Sequence, residues 1–135
     1  MSDLFGNINV SGSGIAASQT WLNTIAGNIA NMDDVSPTDE ATYGEQTPIF
    51  EPDAAFGQPG QGVTVAAVDE GSTAGVVESD PTSPLADAQG DVRVPDIELG
   101  GQMVNMIQAQ TDYQANTSAM ADARTAYQSA LTLGT

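Results

Sequence analysis

Large apolar residues recur every seven positions through the last third of the chain: Leu99, Met106, Tyr113, Met120 and Tyr127. A second row, Met103, Gln110, Thr117, Arg124 and Leu131, is apolar at both ends and polar between. A seven-residue period held this long predicts a helix whose seam expects another helix along it. A drift-free 3.5-residue repeat also favours left-handed supercoiling with that partner. The first segment, about Ile8 to Met32, carries a matching pattern: Ile8, Ile15, Leu22 and Ile29 in one row, Ser11, Ser18, Ile25 and Met32 in the other. Its seam is small near the start and bulky near the end. Ala16, Ala17, Ala26 and Ala30 flank it with side chains small enough for close helix approach.

The boundaries follow from local chemistry. Gly12, Gly14 and Gly27 each weaken the first helix by roughly 1 kcal/mol relative to Ala, so it needs tertiary or subunit contacts to persist. Asp33-Asp34-Val35-Ser36-Pro37 ends it, because the residue before a proline avoids the helical region. The last helix begins between Asp96 and Gln102, with Asp96 an acceptable N-cap and Glu98 favourably placed in the first turn. Gly134 is a plausible C-terminal stop. Between the helices, Thr47-Pro48-Ile49-Phe50 and Val92-Arg93-Val94 read as short extended pieces. Val63-Thr64-Val65-Ala66-Ala67-Val68 reads as a strand returning through Asp69-Glu70-Gly71-Ser72 to Gly75-Val76-Val77-Glu78. The expected fold is mainly α with a small β insert. The N- and C-terminal helices pack as an antiparallel coiled-coil-like pair, and the middle is extended or irregular with a short β-hairpin. The corresponding organisation is an N-terminal axial helix over 1–32, an acidic Pro/Gly-rich insert over 33–95, and a C-terminal axial helix over 96–135. The two helices together form one discontinuous domain.

Charge sharpens this division. The net charge is −16, from 18 acidic residues against Arg93 and Arg124. Residues 1–32 and 99–135 each carry about −1, whereas 33–98 carry −14 and all seven prolines. Nearly neutral ends flanking an acidic insert indicate buried ends and a solvent-facing middle. A chain this acidic repels phosphate backbones, so neither nucleic acid nor an anionic membrane surface is expected as a partner. No apolar run reaches the roughly 18–20 residues of a membrane span, so no membrane insertion is expected. The N-terminus, Met1 to Asn7, lacks a basic n-region and an apolar core, so no cleavable secretory signal is expected.

Composition also removes much of enzymology. Cysteine, histidine and lysine are all absent. That excludes a thiol nucleophile, the usual general base, Schiff-base chemistry and a Walker-type phosphate loop. Gly12-Ser13-Gly14-Ile15-Ala16-Ala17 matches the G-x-G-x-x-G/A dinucleotide fingerprint, with Asp33 or Asp34 about 20 residues on. Its context is wrong: the strand before it would be two apolar residues long, and the stretch after the helix is polar and proline-broken. Small residues in a loosely wound helix start explain it better. The pairs Asp33/Asp34, Asp39/Glu40 and Asp69/Glu70 lack the alternating ligand spacing of a calcium loop and read as solvated surface. Trp21 reads as an interface or core anchor. No cofactor, metal or catalytic residue is expected.

Two stretches in register complete the reading. Ser13 to Asn31 contains Leu22-Asn23 followed by Asn28-Ile29-Ala30-Asn31. Near the other end, Tyr113-Gln114-Ala115-Asn116 is followed by Leu131-Thr132-Leu133-Gly134. Together these resemble the paired terminal signatures of the flagellar rod and hook axial protein family. Short length, the segment Pro84 to Pro95 and Gln102-Met103-Val104-Asn105-Met106-Ile107 point within it to a proximal-rod member. The chain departs from the family's basic residues at Gly44-Glu45-Gln46, and from its helix-favouring residues at Gly12 and Gly14.

The resemblance implies a non-enzymatic structural subunit of the basal-body rod, the shaft that carries torque from motor to hook. It implies partners too: other rod subunits and copies of itself in a helical assembly, reached through the flagellar type III export apparatus. The place implied is the basal body, on the periplasmic side of the cell envelope. The assembly seams would be Ile8, Ile15, Leu22, Ile25, Ile29 and Met32 at one end, and Leu99, Met103, Met106, Tyr113, Met120, Tyr127 and Leu131 at the other. Asn23, Asn28 and Asn31 lie off the main apolar row, where amides between subunits would set register. Arg124 is the candidate for an intersubunit ion pair. The alternatives are another flagellar axial protein, a secreted helical adaptor with no rod role, and least of all a dinucleotide-binding module.

Overall fold

The computed structural model describes residues 2–54 and 61–133. In chain order it contains α1 (Ser2–Asn31), β1 (Gln46–Pro52), β2 (Val63–Glu70), β3 (Val76–Ser79), β4 (Asp91–Val94) and α2 (Leu99–Leu133). The expected fold class is the one observed: about half of the chain is helical, and the two terminal helices pack together with short antiparallel β-structure between them in sequence. Neither helix is long and apolar enough to cross a membrane.

Helix boundaries differ from expectation at the starts. α1 begins at Ser2 rather than near Ile8, because no proline interrupts Phe5-Gly6-Asn7 and Ser2-Asp3 are residue types favoured at a helix start. Its end is where the polar run sets in, with Asp34 N–H donating to the Asn31 carbonyl at 3.2 Å. α2 is capped by Glu98, not Asp96: the Glu98 carbonyl accepts the first helical bond, from Gln102 N–H at 3.1 Å. Gly134, the expected C-terminal stop, lies outside the described residues.

The strands form where they were expected, but with different partners. β2 pairs with β1, and β3 with β4, in two separate two-stranded sheets. The hairpin expected between Val63–Val68 and Val76–Glu78 therefore does not exist. β-Branched content marks a strand without naming its neighbour.

The chain divides into two compact units, one built from three stretches and the other from two. One comprises Met1–Leu22, Pro48–Ala67 and Ile107–Thr135. Here α1 and α2 run antiparallel, since Gly12 lies against Met120 and Gly14 against Asn116. The strand segments join the helices through Ser13, whose Oγ accepts from Val63 N–H at 3.0 Å and donates to the Val10 carbonyl at 2.8 Å. Trp21 meets Phe50 edge-on, ring centroids 5.9 Å apart.

The other unit comprises Asn23–Thr47 and Val68–Met106. Its buried side chains include Ile25, Val92, Asn28, Thr42 and Gln102. β3 and β4 are antiparallel, with Val76 opposite Val94 and Ser79 opposite Asp91. Ser36 adds a bridge to the free side of β4, exchanging bonds of 2.8 and 2.9 Å with Arg93. Gly75 enters β3 with φ +59°, and a Cβ there would meet Thr42 Oγ1 at 2.8 Å. Only glycine fits that backbone and that space.

Candidate assembly interface

The expected α1 seam lies on the helix's inner side. Ile8, Ile15, Leu22, Ile29 and Met32 are half-buried, while Ser11, Ser18 and Ile25 of the second row are buried. Buried Ser18 is satisfied locally, its Oγ donating to the Gly14 carbonyl at 2.9 Å. The buried serines leave room that a larger side chain would take.

On α2 the two expected rows separate. Met106, Tyr113, Met120 and Tyr127 are half-buried. Met103, Gln110, Thr117, Arg124 and Leu131 are exposed, as is Leu99. The inward companion of the Met106 row is instead Gln102, Ala109, Asn116 and Ala123, one position earlier, with Gln102 and Ala109 buried. That row is small or polar, so it gave no hydrophobic signal. The outer face of α2 is left with Met103 (55 % exposed), Val104 (65 %), Ile107 (64 %) and Leu131 (53 %), while Leu99 (42 %) is exposed as the helix's first residue.

The signature residues sort into two kinds. Asn116 packs onto Gly14: a Cβ at Gly14 would stand 2.6 Å from Asn116 Oδ1. The Asn116 amide is held there by donating to the Asp112 carbonyl at 2.9 Å. The Gly12-Ser13-Gly14 stretch thus sits deep inside a continuous helix with no strand before it, and Gly14 serves close approach rather than phosphate binding. Asn23, Ala30, Gln114 and Ala115 are exposed. Leu133 ends α2.

Asn28 is the centre of the second unit's polar core, 1 % exposed. Its Nδ2 donates to the Gln46 carbonyl at 2.8 Å and to Gln102 Oε1 at 3.1 Å. Its Oδ1 accepts from Gln46 N–H at 2.9 Å and from Tyr43 Oη–H at 3.3 Å. These fill the four-bond capacity of an asparagine amide. Gln102 continues the chain of bonds, donating to Glu45 Oε1 at 2.6 Å. Burial pushes the Tyr43 phenol above its ordinary value. Asn28 was expected to bond between subunits; it is instead spent within its own chain. Asn31 likewise turns inward, donating to the Gly27 carbonyl at 2.7 Å.

The loop before β4 is organised by one carboxylate. Asp87 accepts from Thr38 Oγ1 at 3.0 Å, from Gln89 N–H at 2.9 Å and from Asp91 N–H at 3.0 Å. The Asp91 amide, foremost, holds this carboxyl below its usual range. Arg93 donates from Nη1 to the Glu40 carbonyl at 3.2 Å. Its buried Nε has no hydrogen-bond partner among the described residues.

Open grooves lie in the first unit, among them the following two. One, of about 400 Å³, is lined by Ala17, Trp21, Phe50, Val63 and Asp112. The other, of about 520 Å³, is lined by Val10, Ser11, Ala119, Asp122 and Ala123. Among the described residues no group of three or more acidic side chains is placed to hold a metal ion.

Comparison with known proteins identifies the family. Residues 8–36 match the family described as "Flagella basal body rod protein", and residues 88–133 match "Flagellar basal body rod FlgEFG protein C-terminal". The chain is 37 % identical to the flagellar basal-body rod protein FlgC of Salmonella typhimurium, over 97 % of this chain and 98 % of that one. It belongs to the FlgC family. The FlgC of Aquifex aeolicus is 34 % identical over 88 % of each chain. The FlgC of Borreliella burgdorferi is 30 % identical over 96 % of this chain and 97 % of its own. The two family matches fall on α1 with its exit and on β4 with α2, the stretches whose packing and polar core are described above.

Proposed function

We infer that this protein is a structural subunit of the flagellar basal-body rod. It assembles through its terminal helices with copies of itself and with other rod subunits, into the shaft that carries torque from motor to hook. The observation that carries this reading is the outer face of α2. Four large apolar residues, Met103, Val104, Ile107 and Leu131, stand 53–65 % exposed on a helix whose only charges are Asp112, Asp122 and Arg124. Exposed apolar area on a charge-poor helix marks a surface that another helix covers. A heterologous contact of this kind that does not close builds a helical assembly.

In this reading residues 1–32 and 96–135 act as one assembly element, and the acidic residues 33–95 face solvent. The role is mechanical, without catalysis or cofactor, and the short insert suits a proximal position. The chain reaches the cell envelope unfolded, through the flagellar type III apparatus. Arg124, exposed on α2, is free to meet a carboxylate of a neighbouring subunit.

The decisive experiment is purification of hook–basal bodies from cells carrying Ile107→Asp or Met103→Asp. The substituted side chains are exposed, so the isolated chain keeps its circular dichroism while rod incorporation and motility are lost. Normal swimming with either variant incorporated would overturn the outer face as an assembly surface. Absence of the wild-type chain from purified basal bodies would overturn the rod assignment itself.

A further inference from the structure

We propose that the Asn28–Gln102 amide pair fixes the register of the two terminal helices, and that Asn28 in the same act anchors the start of β1. Helix pairing and docking of the insert are then one event. The inference concerns the isolated chain and holds whatever the helices assemble into.

Apolar seams alone specify register poorly, because a shift of seven residues puts one large apolar residue where another stood. Met106, Tyr113, Met120 and Tyr127 are interchangeable in this sense, and so are Ile15, Leu22 and Ile29. A buried amide is not interchangeable, because a wrong register leaves it without partners in a medium that cannot supply any. Asn28 meets Gln102 across the helix pair in a fully buried side-chain bond. Sliding α2 by seven residues in one direction brings Ala109 to the place of Gln102. Sliding it in the other brings Pro95, which precedes the helix. Neither carries an amide.

The remaining bonds of Asn28 do a second job. By donating to the Gln46 carbonyl and accepting from the Gln46 N–H, the side chain treats the first residue of β1 as a neighbouring strand would. Tyr43, three residues earlier, closes onto the same oxygen. Glu45, between them, is held by Gln102. Gln46 and Tyr43 are thus held by α1 and Glu45 by α2, so the approach to β1 seats fully only where the correct register brings Asn28 and Gln102 together.

The absence of native cysteine makes the test direct. Gly12→Cys with Met120→Cys marks the observed register, since those positions are neighbours. Gly12→Cys with Tyr113→Cys, or with Tyr127→Cys, marks registers one heptad away. The thiol cross-linker must be shorter than the ~10 Å axial offset of one heptad. In the otherwise native chain only the first pair cross-links. Adding Asn28→Leu makes the shifted pairs cross-link as well, and speeds hydrogen exchange at the Gln46 amide by about tenfold. Adding Gln102→Leu opens the shifted registers while Gln46 exchange rises less, because the strand anchor survives. Ile25→Ala, which removes buried apolar volume from the same helix, weakens the protein without producing shifted products. If Asn28→Leu fails to fold, the Gln102→Leu chain decides. Retention of the single native cross-link in the Leu variants overturns the proposal, as does an equal response to Ile25→Ala.

Discussion

Gly14 and Gly6 sit in the same helix and predict opposite outcomes for the same substitution. Replacing a helical glycine by alanine returns roughly 1 kcal/mol of backbone propensity. Around Gly6 nothing lies within 4 Å of the new methyl, so Gly6→Ala keeps that gain and raises the melting temperature. At Gly14 the methyl would stand 2.6 Å from Asn116 Oδ1, and forcing a packed interface apart costs about 1–3 kcal/mol. Gly14→Ala is therefore expected to lower the melting temperature by a few degrees. The double variant Gly14→Ala/Asn116→Ala, which vacates the space, recovers most of the loss. Thermal melts of the four chains check this, and a Gly14→Ala melting point above the parent's would show that the helices have slack. The value of Gly14 was invisible in the sequence, where it reads only as a weak helix residue. Its use depends on Asn116, a hundred positions away, and on the amide bond that fixes Asn116 in place.

The strand pair β3–β4 depends on Asp87, and its pH dependence can be given a sign. The Asp87 carboxyl is held below its ordinary value, chiefly by the Asp91 amide. A group depressed in the folded state stabilises above its unfolded pKa, about 3.9 for aspartate, and loses that contribution as pH falls through the lower folded value. Hydrogen-exchange protection at Val92 and Arg93 is expected to hold from pH 7 to about 4 and to weaken below it. Asp87→Asn removes this acid limb. An unchanged limb in that variant would mean that another carboxyl holds the loop. Strand positions were readable because Val63–Val68 and Val76–Glu78 concentrate β-branched residues. Their pairing was not, because it rests on distant bonds: Ser36 with Arg93, and Thr42 N–H with the Thr73 carbonyl at 2.9 Å. The helices show the same split. The Met106 row announced itself by size; Gln102, Ala109, Asn116 and Ala123 carry no hydrophobic signal although they form the other inward row.

Across the whole molecule, the −14 carried by residues 33–98 sets how the protein answers salt. Like charges on one insert repel in the folded state, and ions screen them as the Debye length falls from about 30 Å at 0.01 M to about 10 Å at 0.1 M. Raising sodium chloride through this range should therefore raise the melting temperature. A flat or falling response would show that the charges are spaced widely enough to ignore one another. The charge division along the chain was legible at once; that the middle also supplies buried side chains, Thr42 and Val92 among them, was not. Nor was the two-unit organisation, because the units are assembled from three and from two separated stretches that no local pattern links.

That interleaving has a consequence for time rather than for stability. Gln102 follows Asn28 by 74 residues, and α2 supplies part of both units. A chain read out from its N-terminus can form the first helix early, but it cannot close either unit before the final third arrives. The closure entropy for such a span grows only slowly with length, so the delay is one of sequence order rather than of a high barrier. The second unit waits for the first turns of α2 and the first unit for the rest of that helix. If the chain is exported unfolded, as proposed above, that order of events keeps it threadable until α2 follows.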